Sequence, residues 1–126
     1  MGDAIRALAE RFFDAIEAGD IATVREVYAP AALIWHNTDE IATSVDENLE
    51  VLKGFVGRIR DRRYRERRLE VFDGGFVQQH VLHGVRADGV AVTLPACLVC
   101  QVEGGMITRL DEYFDSARVA VFRQSA

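Results

Sequence analysis

The sequence predicts an α+β fold: a cone in which three N-terminal helices pack in the concave face of a curved, mostly antiparallel sheet. Three observations carry this reading. Apolar residues in the first half recur at helical spacing. The second half is built of long, β-rich runs separated by glycine turns. The chain has 126 residues, 49% of them hydrophobic, which suits one domain, 1–126, with its own core.

Each element has a local reason. Ile5, Leu8, Phe12, Phe13 and Ile16 form one helical stripe, and Gly19 ends it. Asp20 is placed to cap a second helix carrying Ile21, Val24, Val27 and Tyr28. That helix stops before Pro30, whose ring disfavours helical backbone at the residue ahead of it. The short apolar stretch "ALIWHN" follows as a first strand. Ser44 or Asp46 then opens a third helix with Leu49, Leu52, Val56 and Ile59 turned inward.

The strands come next. "YRERRLEVF" ends at Asp73, Gly74 and Gly75. "FVQQHVLHGVRA" ends at Asp88-Gly89, a pair that tolerates the positive φ of a hairpin turn. "VAVTLPACLVCQV" ends at Gly104-Gly105, and "MITRLDEYFD" follows. Consecutive strands joined by tight turns make a meander.

Composition removes several function classes. The net charge of -5 argues against nucleic acid and against anionic lipid as partners. No apolar run is long enough to cross a bilayer. "MGDAIRALAERFF" lacks the layout of a signal peptide, so the expected location is cytoplasmic. Seven arginines lie between Arg58 and Arg68. They could form a phosphate-binding or nucleic-acid surface, but Asp61 and Glu66 lie among them and Glu70 just after, and a solvated helix end and strand edge is the better reading. Cys97 and Cys100 form a C-x-x-C pair, yet on a strand two residues three apart face opposite ways. They read as two small hydrophobes rather than a redox or zinc pair.

Strand parity sorts the faces. The continuous apolar face of the third long strand, Val92, Leu94, Ala96, Leu98, Cys100 and Val102, is assigned to the cavity. The matching faces are taken as Val77, Gln79, Val81, His83 and Val85, then Leu110, Glu112 and Phe114, and Leu33, Trp35 and Asn37 in the first strand. Phe76, Leu82, Cys97 and Val99 then fall outside, where a second copy of the chain is the simplest cover, so a homodimer through the outer sheet face is expected. The cavity would be apolar, with Asn37, Gln79, His83 and Glu112 as its polar groups and Trp35 as an aromatic wall, which suits a small hydrophobic molecule. An ionised glutamate there loses several kcal/mol of hydration, roughly, unless it gains a partner. Glu112 either takes up a proton or pairs with His83, and both outcomes suit proton transfer near neutral pH. Taken singly, an inward histidine is more often a satisfied core residue than a catalyst, and Glu112 could simply neutralise an arginine that reaches in from a helix. His36 and His80 fall on the opposite faces and read as structural or interfacial.

Three helices followed by a meander ending in "GGMITRLDEYFD" resemble the nuclear-transport-factor-2-like superfamily, and within it the SnoaL-like domain of polyketide cyclases and relatives of ketosteroid isomerase. The chain is also similar to limonene epoxide hydrolases. Their Tyr-x-Asn is matched by Trp35 and Asn37, and their aspartate before Tyr-Phe-Asp is matched by Glu112. Their Arg-x-Asp falls on Val81 and His83, so the bridging arginine is lost and one acid becomes a histidine.

Two kinds of function follow. In the first, the protein is a cofactor-independent enzyme, an isomerase, cyclase, dehydratase or hydrolase. His83 would be general base, Glu112 would orient it or act as acid, and Trp35, Asn37, Gln79, Leu94, Leu98 and Phe114 would bind substrate. No metal is implied, since this ligand set is poor. In the second, it is a non-catalytic ligand-binding or dimerisation module. Catalysis requires the histidine and the acid within hydrogen-bond reach and open to a cavity large enough for a small organic molecule; a binding module calls for a filled cavity, or for a pocket whose polar groups are saturated by protein partners.

Overall fold

The computed structural model describes residues 2–123; residue 1 and residues 124–126, the last of the C-terminal tail, lie outside the described residues. In chain order the elements are α1 (Gly2–Ala18), α2 (Ile21–Val27), β1 (Tyr28–His36), β2 (Ile41–Thr43), α3 (Val45–Arg58), β3 (Ile59–Phe72), β4 (Gly75–Arg86), β5 (Ala91–Glu103), β6 (Met106–Phe114) and α4 (Ser116–Arg123). The six strands form one sheet in the order β2-β1-β6-β5-β4-β3. Every pairing is antiparallel except that of β1 with β6. The α+β cone expected from the sequence is therefore present.

The helices form where their caps say they should. Gly19, at φ +73, ends α1. The Asp20 side chain accepts from Thr23 N at 3.1 Å and starts α2. Ser44, rather than Asp46, caps α3, with Glu47 reaching back to the Ser44 N–H in a reciprocal pair of bonds. α1 buries Ala9, Phe12, Phe13, Ala15 and Ile16. Phe12 and Phe13 meet Tyr28, Tyr64 and Phe76 edge-on, so the space between α1 and the sheet is filled by aromatic rings.

The sheet bends because β3 is bulged twice. Its register slips between Arg60 and Arg63 and again between Arg65 and Arg68. Asp61 and Glu66 sit there with φ of 54 and 56, off the ordinary strand conformation. The arginine run is mostly this edge strand, with α3 stopping at Arg58 and Ile59 already in β3.

Two strand faces are opposite to those expected. In β4 the buried residues are Phe76, Gln78, His80, Leu82 and Gly84, while Gln79 is exposed and His83 lies on the outer side. The cause is the hairpin loop. Arg86 N donates to Val90 O at 2.9 Å, so the loop is Ala87, Asp88 and Gly89, with Gly89 at φ +85, not a two-residue turn. One extra loop residue turns the whole strand over. Gln78 therefore faces Leu98, and His83 faces Thr93. In β1, Ile34 pairs with Leu110 and His36 with Glu112, which places Leu33 and Trp35 outside. Trp35 lies there against the Tyr113 ring, 5.3 Å between centroids. β5 and β6 face as expected: Leu94, Leu98 and Cys100 are buried, Cys97 is half-buried on the other side, and both cysteines are free.

Two elements had no expectation, β2 and α4. α4 packs on the sheet through Phe122, which is buried in a second cluster with Ile59, Leu82, Val92 and Leu94. Arg86 Nη1 holds Val121 O at 3.0 Å, and Arg118 Nη1 bonds Thr93 Oγ1 at 3.0 Å. Among the described residues no helix is long and apolar enough to cross a membrane.

Candidate functional site

The inner sheet face brings together one acid and one imidazole. Because β1 and β6 run parallel with His36 opposite Glu112, their side chains rise from adjacent strands on the same side. His36 Nε2 lies 3.2 Å from Glu112 Oε1. Both side chains keep a little accessibility, 24% and 19%, so the pair is sheltered without being sealed. The Phe114 ring stacks on His36 at 5.6 Å between centroids and 18° between planes. Leu98, opposite Glu112 on β5, is buried beneath.

Burial by itself would push the His36 imidazole down. The hydrogen bond to Glu112 and its charge, helped by Asp39 and opposed by Arg123, instead carry it above its ordinary 6.5. Around the pair, burial raises Tyr28 and Cys100 far above their usual range, with Glu112 contributing to both. Burial likewise raises Tyr64. These three groups therefore keep their protons, and Tyr28 Oη donates to Asn48 Oδ1 at 3.2 Å.

A second imidazole lies deeper. His80 is 4% exposed, between the rings of Phe13 at 5.4 Å and Tyr64 at 4.4 Å. Gln78 Nε2 lies 2.9 Å from His80 Nδ1. An amide nitrogen donates, so Nδ1 accepts and the neutral ring carries its proton on Nε2. That Nε2 is buried with no hydrogen-bond partner.

Of the residues expected at the site, Glu112, Phe114, Leu94 and Leu98 are on the inner face. Trp35, Gln79 and His83 are not with them: they lie on the outer face. His83 pairs across strands with Arg63 and Thr93 and does not meet Glu112. Asn37 is near Glu112, but its carboxamide is taken up by the backbone of Phe114. The partner of Glu112 is His36, which parity in the sequence had placed outside. The signal that would have found it is the parallel β1–β6 pairing. A period-2 pattern within a short nine-residue strand cannot supply it.

Two depressions lie elsewhere. A groove of about 670 Å³ is lined by Arg68, Gln79, Val81, Pro95, Cys97 and Tyr113 among others. Another, of about 490 Å³, sits between the start of α1 and the β3–β4 and β5–β6 turns, lined by Ile5, Leu8, Val71 and Val102 among others. Neither includes His36 or Glu112. Among the described residues no three His, Cys, Asp or Glu side chains gather at metal-binding range.

Comparison with known proteins agrees with this architecture. The family model of the SnoaL-like domain matches residues 9–110. None of the curated proteins matches significantly. Among solved structures, a polyketide-cyclase candidate from Xanthomonas campestris pv. campestris superposes with a TM-score of 0.84 at 18% identity, covering 95% of this chain and 96% of that one. An LEH-like epoxide hydrolase of M. tuberculosis gives 0.76 at 20% identity, covering 94% and 87%. An NTF2-like protein of unknown function from Burkholderia pseudomallei K96243 gives 0.82 at 16% identity, covering 97% and 98%. At these identities the likeness is one of fold.

Proposed function

Since the chain belongs to the SnoaL-like domain family, we propose that it is an enzyme that moves protons on a small hydrophobic molecule, with His36 and Glu112 as its acid–base pair. The observation that carries this reading is the 3.2 Å contact between His36 Nε2 and Glu112 Oε1 on the inner sheet face. Neutral His36 would accept a proton from carbon beside a carbonyl, and Glu112 would stabilise the imidazolium that results. The same imidazolium would return the proton at another atom. A histidine basicity raised above 6.5 suits the accepting step. Phe114, stacked on His36, and Leu98, buried beneath Glu112, give the pair an apolar surround that suits a hydrophobic substrate. Isomerisation, ring closure, dehydration and hydration all use such a step, and none of them calls on a cofactor.

The test is α-proton exchange of a hydrophobic ketone such as 2-decalone in D2O, followed by NMR. The expected result is accelerated wash-out that His36→Ala and Glu112→Gln each abolish. Equal rates in all three proteins would remove the pair from the chemistry. A second reading, a non-catalytic binding module, is favoured by the filled space between α1 and the sheet, where Phe12, Phe13 and Phe76 are buried. Saturable ketone binding without wash-out would select it.

The outer sheet face supports a homodimer as the assembly. Leu33 is 43% and Tyr113 47% exposed there, beside Trp35, Cys97 and Val99. Sedimentation of the wild type against a Tyr113→Arg, Leu33→Glu double variant is expected to show a dimer and a monomer; a monomeric wild type would overturn this.

A further inference from the structure

The geometry points to Asn37 as the positioning residue that holds His36 and Glu112 in register, and this rests on the acid–base reading of that pair. β1 ends at His36, and the chain then turns towards β2, with Glu40 N donating to His36 O at 2.9 Å. A terminal strand residue that must also start a turn is free to fray from its neighbour. Asn37 prevents this in three ways. Its backbone N donates to Glu112 O at 3.0 Å. Its Nδ2 donates to Phe114 O at 3.1 Å, and its Oδ1 accepts from Phe114 N at 3.0 Å.

A carboxamide carries one donor side and one acceptor side, as a peptide group does. The Asn37 side chain thus acts as one further rung of the parallel ladder after the main chain has turned away. The rungs grip β6 at Glu112 and at Phe114, and they start from the residue next to His36. Rotation of β6 about its axis, or a slip along β1, would separate His36 Nε2 from Glu112 Oε1. Phe114, gripped through its backbone, is also the ring stacked on His36. Serine offers a single hydroxyl and alanine neither group; aspartate keeps the acceptor and loses the donor.

The experiment is a side-chain NMR titration of His36 in the full chain, comparing wild type, Glu112→Gln, Asn37→Ala and Thr43→Val. Thr43 Oγ1 donates to Ile34 O at 3.1 Å, so Thr43→Val removes a side-chain bond to the same strand away from the pair. Asn37→Ala is expected to move the His36 midpoint downwards, towards that of Glu112→Gln. Thr43→Val is expected to keep the wild-type midpoint even if it melts at a lower temperature. Should Asn37→Ala not fold, Asn37→Ser reads the same displacement in smaller degree. A wild-type midpoint in Asn37→Ala, or in Asn37→Ser as the substitute, would overturn the positioning role and leave the acid–base reading intact. A wild-type midpoint in Glu112→Gln would instead remove the coupling, and both conclusions with it.

Discussion

His80 should make the protein acid-sensitive, by an amount that can be worked out. Burial, with some help from the Arg67 charge, holds its imidazole down at about 4. In the unfolded chain a histidine titrates near ~6.5. Between these values the unfolded state binds a proton that the folded state refuses. The contribution of His80 is therefore complete above the unfolded value and is lost as pH falls from there towards the folded one. A gap of roughly 2.5 pH units, at ~1.36 kcal/mol each, comes to about 3 kcal/mol. The perturbation is His80→Phe, which keeps a ring between Phe13 and Tyr64 but cannot titrate. It strands the Gln78 amide and forfeits ~1–3 kcal/mol at every pH, a constant offset. Urea unfolding of both proteins at pH 7 and pH 4, followed by the fluorescence of Trp35, gives the comparison. The wild type should lose about 3 kcal/mol more than the variant on acidification, because other groups cancel in the difference. Equal losses would refute the reasoning and show that His80 finds a place for its charge.

Three further outcomes follow from the packing and the charges. The pairing of His36 with Glu112 raises the histidine, so its stabilisation is complete below ~6.5 and fades as pH rises through the folded value. The stability gap between wild type and Glu112→Gln should shrink on that rise, and a gap that grows would contradict the pairing. Gly75→Ala would place a Cβ 2.1 Å from Cys100 O and 2.7 Å from the Phe72 ring. The fold must shift there, which should cost at least ~1–3 kcal/mol by denaturant unfolding. Ser44→Ala removes the reciprocal cap of α3 and should cost ~1 kcal/mol, with no change in the His36 titration.

Much of the fold was legible because local chemistry and tertiary context agree. Gly19 and Asp20 punctuate α1 and α2, and Ser44 opens α3, as their residue types require. β5 showed its inner face through an unbroken run from Val92 to Val102. β4 did not, because Val77, Val81 and Val85 make its outer face as apolar in pattern as Phe76 and Leu82 make its inner one. Only the loop length decides between them, and Asp88-Gly89 reads equally well as a two-residue turn or as the end of a three-residue one. That single residue exchanged His83 for His80. β1 failed for a different reason. Its inner face is fixed by β6, some eighty residues later, through a parallel pairing that leaves no trace in local periodicity. α4 was missed because its apolar residues, Val119, Val121 and Phe122, make too weak a stripe.

The union of β1 with β6 also sets an order of assembly. β1 lies between β2 and β6, so the β1–β2 pair cannot join the rest of the sheet until β6 has been synthesised. On a ribosome, β1 must wait for this partner while about seventy residues emerge. The meander of β3, β4, β5 and β6 can zip locally, but the cone shuts only when its two ends meet. His36 and Glu112 come together in that closing event, so a nascent chain halted before β6 would lack the contact between them.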